Sequence, residues 1–288
     1  MLLLSEMQNL NPIAIVKASG IEEPFSEEKI NKSLAGSGLS KAITTQTVDY
    51  LKSHLRSGMT TSSIYDHVST YLQKNAPAEN YYNYSLKRAV MDMGPSGFAF
   101  EILVSDILKS GNFKTKVGVI TQGKCVTHEI DVIAQKGADK YFIECKYHNT
   151  PGYKTDIQVA LYSYARFLDV DTVQRQNGNN NNFPWLITNT KVTSEVITYC
   201  HCVNLKVTTW TEPEGQGLQD LIVASKLHPI TQLQNISREK ISILLNRGIV
   251  TCSRLKNAIL NQDVNDVLNG DESSLILNTI AKICKEYE

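Results

Sequence analysis

Three charged residues stand where a sheet interior is expected. The stretch "EIDVIAQKGADKYFIECKY" (129–147) sets Asp131 among Ile130, Val132 and Ile133, and Glu144 between Ile143 and Cys145. Lys146 follows two residues later. Side chains alternate faces along a strand, so Glu144 and Lys146 share one face. The Lys136-Gly137 turn makes the two runs antiparallel neighbours and lets Asp131 and Glu144 converge. Two half-buried carboxylates repel and are poorly solvated. A divalent cation removes both penalties, and Asp and Glu oxygens suit a hard ion such as Mg²⁺ or Mn²⁺. A lysine beside them offsets charge and can position or activate a water. That set of groups is what metal-assisted hydrolysis of a phosphodiester requires. The plain alternative is a solvated surface Asp, Glu and Lys. The flanking apolar strands, the short turn and the helices on either side argue against it.

The elements that must hold these groups follow from periodicity. "FAFEILVSDILKSG" reads as a helix ending at Gly111 and carries Glu101. "FKTKVGVIT", "KCVTHEIDVIAQ" and "KYFIECKYH" read as three strands. "YKTDIQVALYSYARFLDV" is a helix, "QRQNGNNNN" a mobile polar loop, "FPWLITNT" a strand, "VTSEVITYCHCV" a helix and "LKVTTW" a strand. The order is α-β-β-β-α-β-α-β. Before it, a short β start leads into helical segments, the first capped by Ser26. "GPSG" (94–97) is a breaker. After it, "ISREKISILLNRGIVTCSRLKNAI" reads as helix, Gly248 turn, helix. The expected fold class is α/β, in the α+β multidomain sense. Its domains are 1–94, 95–212 and 213–288.

Residues 97–191 resemble the PD-(D/E)XK nuclease superfamily, and most closely its Mrr-like restriction endonuclease branch. The match lies in "GFAFEILVSDIL", "THEIDVIA", "IECK", "TDIQVALYSYARF" and "LITNTKVTSE". The resemblance implies an α-β-β-β-α-β core, Asp131 and Glu144 as metal ligands and Lys146 as the catalytic lysine. Glu101 matches an additional acidic position of the superfamily. Gln158 and Tyr162 match a Gln-x-x-x-Tyr element on the helix after the lysine. Many Mrr-like proteins have Gln where Glu144 stands here. Near the site, His128 reads as a hydrogen-bonded structural residue. Tyr147, His148, Lys114, Lys116, Lys124 and Lys154 are candidate phosphate contacts or simply a charged face.

"IAIVKASGIEEPFSEEKINKSL" resembles the ATP-cone domain, a nucleotide-binding regulatory module. Lys17, Gly20, Phe25, Lys29 and Ile30 carry the match, and "AENYYNYSLKRAV" adds Lys87 and Arg88. Ala18 and Ser19 stand where the family usually has Arg and Asp. The resemblance implies ATP or dATP at this domain; the alternative is a helical domain kept for packing or dimerisation. The C-terminal "LLNRGI" is similar to a helix-hairpin-helix segment, though "QNISRE" has no hairpin glycine. There a purely structural bundle competes with DNA contact.

Composition bounds the rest. The chain has 288 residues, 42% hydrophobic and 20% charged, as in a soluble globular protein. Formal net charge is zero, so a nucleic-acid surface must be a local patch. No apolar run approaches a membrane span, so no membrane partner is expected. "MLLLSEMQ" lacks the basic region of a signal peptide, and a cytoplasmic location is expected. The six cysteines form no CxxC pair and read as reduced thiols; Cys200-His201-Cys202 alone is a poor zinc site. The leading expectation is a Mg²⁺-dependent DNA endonuclease of restriction or repair type, gated by ATP or dATP. A homodimer is expected for cutting both strands. The alternative is a nucleotide-sensing DNA-binding regulator with a non-cleaving nuclease fold.

Overall fold

The computed structural model describes residues 13–284. The opening "MLLLSEMQ" therefore lies outside the described residues. Two compact units are present, divided between Tyr84 and Ser85. That division falls within the helix over 78–91, ten residues before the boundary expected after residue 94.

The first unit holds β1 (Ala14–Val16), β2 (Glu22–Pro24), α1 (Glu27–Ala35), α2 (Lys41–His54), β3 (Met59–Thr60) and α3 (Thr61–Asn75). It also holds the first half of α4 (Ala78–Met91). β1 pairs antiparallel with β2 and parallel with β3. The β1–β2 turn closes through the Gly20 amide, which donates to the Lys17 carbonyl at 2.9 Å. Gly20 has φ +80°, a conformation that glycine adopts without strain. Ser26 caps α1 by accepting from the Lys29 amide. Ile15, Leu34, Leu51, Val68 and Leu72 form the core, with Phe25 packed against it.

The second unit begins in α4 and continues through α5 (Phe98–Ser110), β4 (Lys114–Gln122), β5 (Thr127–Lys136), β6 (Asp139–Lys146), β7 (Lys154–Thr155), α6 (Ile157–Gln176), β8 (Asn182–Thr188), β9 (Lys191–Val192), α7 (Ser194–Val203) and β10 (Lys206–Thr208). Then come α8 (Leu218–Ser225), α9 (Arg238–Asn246), α10 (Cys252–Leu260) and α11 (Gly270–Cys284). The main sheet runs β10-β8-β6-β5-β4. β5 pairs antiparallel with β4 on one side and β6 on the other, and β6, β8 and β10 run parallel. β6, the strand of Glu144 and Lys146, is therefore central. α5 buries Phe100, Leu103, Val104 and Leu108, as an apolar helix must. α6 packs through Val159, Ala160, Phe167 and Val170 against β8, α7 and the middle of the sheet. The α-β-β-β-α-β-α-β order read from periodicity is the order of these principal elements. No helix among the described residues is long and apolar enough to cross a membrane.

Two details differ from expectation. The helix expected from Tyr153 starts at Ile157, because Lys154 and Thr155 pair with Lys191 and Val192 and Asp156 caps the helix by accepting from the Gln158 amide. The asparagine-rich stretch is not the free loop its composition suggests. α6 continues to Gln176, and Asn182 is buried where its side-chain amide donates to Asp171 at 2.8 Å and to the Asn179 carbonyl at 2.7 Å. The Asn179 amide donates to the Gln174 carbonyl at 2.9 Å. Local hydrogen bonding by Asn replaces the apolar packing the segment lacks.

The C-terminal helices dock on α5. Arg254 of α10 grips Asp106 with two nitrogens, one of them at 2.7 Å, and a Cβ at Gly248 would meet Ile102 at 3.4 Å. Gly248 itself has φ +75° at the turn between α9 and α10, the turn expected there.

The β4–β5 turn is clamped to α6 by Asp169. Its Oδ1 accepts from the Cys125 amide at 2.8 Å, and its Oδ2 pairs with His128 Nε2 at 2.8 Å. His128 is thus the hydrogen-bonded structural residue expected. A Cβ at Gly123 would lie 2.1 Å from Asp169 Oδ2 and 2.7 Å from the Val126 carbonyl oxygen. Gly123→Ala should therefore cost about 1–3 kcal/mol of stability by overpacking. Urea denaturation measures it, and an unchanged midpoint would contradict the clamp.

Candidate active site

The β5–β6 ladder sets the geometry. Val132 pairs with Ile143, and one step further along the same register stand Asp131 and Glu144. There the backbone ladder gives way to a side chain: the Cys145 amide donates to Asp131 Oδ2 at 2.7 Å. Asp131 therefore ends the pairing and is fixed by it. Lys146 follows on β6, on the Glu144 face, and pairs in register with Thr188 of β8. Among the described residues it makes no ion pair.

Glu144 is held from α6. Tyr162 donates its hydroxyl to Glu144 Oε1 at 2.9 Å, and Arg166 donates through one guanidinium nitrogen to Oε2 at 2.5 Å. The guanidinium carbon lies 5.5 Å from the centre of the Tyr162 ring. Burial, then the Glu144 charge, pushes the Tyr162 hydroxyl upward, so it stays a donor. Gln158, one turn earlier on α6, is exposed and has no hydrogen bond to the carboxylates.

The carboxylates feel one another. Burial, then Asp131, Glu129 and Glu144, pushes Glu101 of α5 up to about 7. Burial, then Glu144, pushes Asp131 up to about 6, against the pull of the Cys145 amide and Arg166. The Cys145 thiol is raised well above its usual value by burial and by the same three acids, Asp131, Glu101 and Glu144. Asp131, Glu144 and Glu101 thus belong to one electrostatic neighbourhood.

A divalent cation fits the donor chemistry. The oxygens are hard, and crowding raises their affinity for any positive charge. Among the described residues no group of three or more His, Cys, Asp and Glu side chains is arranged to hold a metal. Mg²⁺ does not need such a cage. It keeps several waters and is commonly bound by one or two carboxylates together with substrate phosphates.

Other expected contacts point elsewhere. The Tyr147 hydroxyl donates to the Met91 carbonyl. The His148 amide donates to Asn189 Oδ1 at 2.9 Å, and its ring Nε2 meets Thr155 Oγ1 at 3.1 Å. Thr155, Thr188 and Thr190 join the same buried network. Lys114, Lys116, Lys124 and Lys154 are exposed. All six cysteines are free; Cys200 is buried while His201 and Cys202 are exposed.

The residues expected at a nucleotide site divide between the units. In the first, Lys17 and Lys29 converge on Glu23 Oε2 at 2.6 and 2.7 Å, which leaves one excess positive charge. Gly20 sits in the turn before Glu23, and Phe25 is packed against the core. Lys87 and Arg88 belong to the second unit. Lys87 lies 5.8 Å over the Trp210 ring, its pKa lowered by burial and Lys191, and Arg88 acts on Asp92.

Periodicity missed Arg166, although the signal was there: Gln158, Tyr162 and Arg166 recur every four residues on one face of α6. Asp169 gave no such signal, because its partners lie more than forty residues away in the β4–β5 turn.

The second unit is thus a mixed α/β arrangement with a carboxylate-rich strand end. No family model matches the chain. It is 42% identical over 152 residues to an uncharacterized protein of Archaeoglobus fulgidus, covering 53% of this chain and 83% of that protein. The chain belongs to the same family as that protein. The crystal structure of AF1548, a protein of unknown function, is similar with a TM-score of 0.56 and 34% identity, over 67% of this chain and 100% of that one.

The raised carboxyls set the pH behaviour. An acid whose folded pKa lies above its unfolded value binds protons more tightly when folded, so stability is lost as pH rises from about 4.5 towards 7. In EDTA the melting temperature should fall over this window, and Mg²⁺ should reduce the fall. Glu101→Gln should flatten it. Thermal melts across pH measure this, and a variant slope equal to the wild type would contradict the coupling.

Proposed function

We propose that the chain is a metal-dependent endodeoxyribonuclease of the Mrr-like, PD-(D/E)XK kind. One observation carries the reading: Asp131 and Glu144 stand at adjacent positions of the β5–β6 ladder end, with Lys146 beside them and outside any ion pair among the described residues. A structural ion pair would place the lysine on a carboxylate. Here Arg166 takes that role and the ammonium is left for another partner.

Asp131 and Glu144 would hold Mg²⁺ or Mn²⁺, which supplies Lewis-acid stabilisation of charge on the phosphoryl and leaving oxygens. Lys146 orients the attacking water and offsets negative charge as it builds on the phosphoryl group. The water oxygen attacks phosphorus in line and gives up its proton to solvent, the bond to the 3′ oxygen breaks, and that oxygen takes a proton from a solvent water as it leaves. The Cys145 amide aims Asp131. Tyr162 and Arg166 aim Glu144. Glu101 adds a third acid beside them, and Gln158 is free to meet DNA one turn along α6.

DNA is the proposed substrate and the cytoplasm the proposed location. The first unit is the proposed site for ATP or dATP, through Lys17 and Lys29, and two copies would cut the two strands. Glu144 being tied to Tyr162 and Arg166 is the observation that favours the rival, a nucleotide-sensing DNA-binding regulator that does not cut.

Plasmid nicking separates the two. Wild type with Mg²⁺ or Mn²⁺ should cut, and Asp131→Ala and Lys146→Ala should each lose at least about a hundredfold in rate, the scale of one removed electrostatic or acid–base group. Addition of ATP should change the wild-type rate. Binding without cutting on plain, methylated and branched DNA would favour the regulator.

A further inference from the structure

Arg166 is placed to do more than hold Glu144. Only one of its guanidinium nitrogens is used, in the bond to Glu144 Oε2 at 2.5 Å; the others have no hydrogen-bond partner among the described residues. The Tyr162 ring lies 5.5 Å from the guanidinium carbon and its hydroxyl is itself fixed to Glu144. The fork is therefore rigid, partly buried and incompletely satisfied.

Beside it opens a groove of about 790 Å³ between the β4–β5 turn and α6. Arg166 and Tyr162 line one end, and Cys125, Val126, Ala165, Leu168 and Thr172 line the rest beside the His128–Asp169 pair. Val126 is 57% and Leu168 47% exposed, so apolar surface faces solvent along its length. The groove's carboxylate, Asp169, is already engaged by the His128 ring and by two backbone amides. What enters there meets unused cationic donors at one end and apolar walls beyond. A nucleic-acid strand offers both complements, a phosphate for the fork and base faces for the walls.

We propose, resting on the nuclease reading, that Arg166 binds a phosphate of the substrate strand while bridging to Glu144, and that the groove along α6 is that strand's track. The bridge couples substrate binding to the geometry of Glu144: a phosphate seated on Arg166 draws the guanidinium and its carboxylate into one fixed arrangement. A planar five-donor group can serve two anions at once, which a lysine ammonium does less specifically.

The test is equilibrium binding of a short DNA duplex and the matching single strand to the full chain. It is followed by fluorescence anisotropy in Ca²⁺ over a range of salt concentrations, with Mg²⁺ cleavage scored in parallel. The variants are Arg166→Ala, Arg166→Gln and Arg166→Lys, with thermal melts to confirm folding. Removing one phosphate contact should weaken binding roughly tenfold and reduce the slope of log K against log salt by about 0.7–0.9. The Ala and Gln variants should both do so. The Lys variant should keep the slope, because the charge remains, yet cut more slowly because the bridge to Glu144 is lost. Unchanged affinity and slope in a folded Ala or Gln variant would overturn the proposal while wild-type cleavage left the nuclease reading standing. Wild type that binds without cutting would remove the nuclease reading, and the slope comparison would still decide the role of Arg166. A wild type with no affinity for either DNA would overturn both.

Discussion

The repulsion among Glu101, Asp131 and Glu144 is the constraint on which the candidate site depends. A sheet interior that gathers three acids works against its own stability unless something positive is supplied. The fold supplies part of it: an amide from Cys145 to Asp131, and a guanidinium and a phenol to Glu144. Those contacts leave Glu101 near 7 and Asp131 near 6, so the neighbourhood remains short of positive charge. A strand end built this way stores an affinity for cations, and its position on the central β6 keeps the groups from moving apart to relieve the strain.

Each neighbouring element follows from that need. α5 is buried almost all round, so its first turn can set Glu101 against the sheet. α6 carries Tyr162 and Arg166 one turn apart and is pinned by Asp169 to the β4–β5 turn. α10 locks the outside of α5 through Arg254 and Asp106. The α9–α10 region, read from sequence as a structural bundle or a DNA contact, packs against α5 through this ion pair and the Gly248 turn.

Much of this was legible in the sequence. Apolar alternation gave the strands, the Lys136-Gly137 turn gave the antiparallel pairing, and the pairing gave the meeting of Asp131 with Glu144. These signals are local or rest on one short hairpin. Arg166, Asp169 and the buried Asn182 were not foreseen, because each acts through a partner distant in sequence or through a polar side chain that composition assigns to solvent.

Direct titration of Mn²⁺ is the measurement that bears most closely on the central claim, with wild type and Asp131→Asn compared calorimetrically at pH 7.5 and at pH 5. The account predicts binding by the wild type at pH 7.5, weakening at pH 5 as Asp131 and Glu101 take up protons, and loss of binding in the variant at both. Equal Mn²⁺ binding by wild type and variant, or none by the folded wild type at either pH, would contradict it.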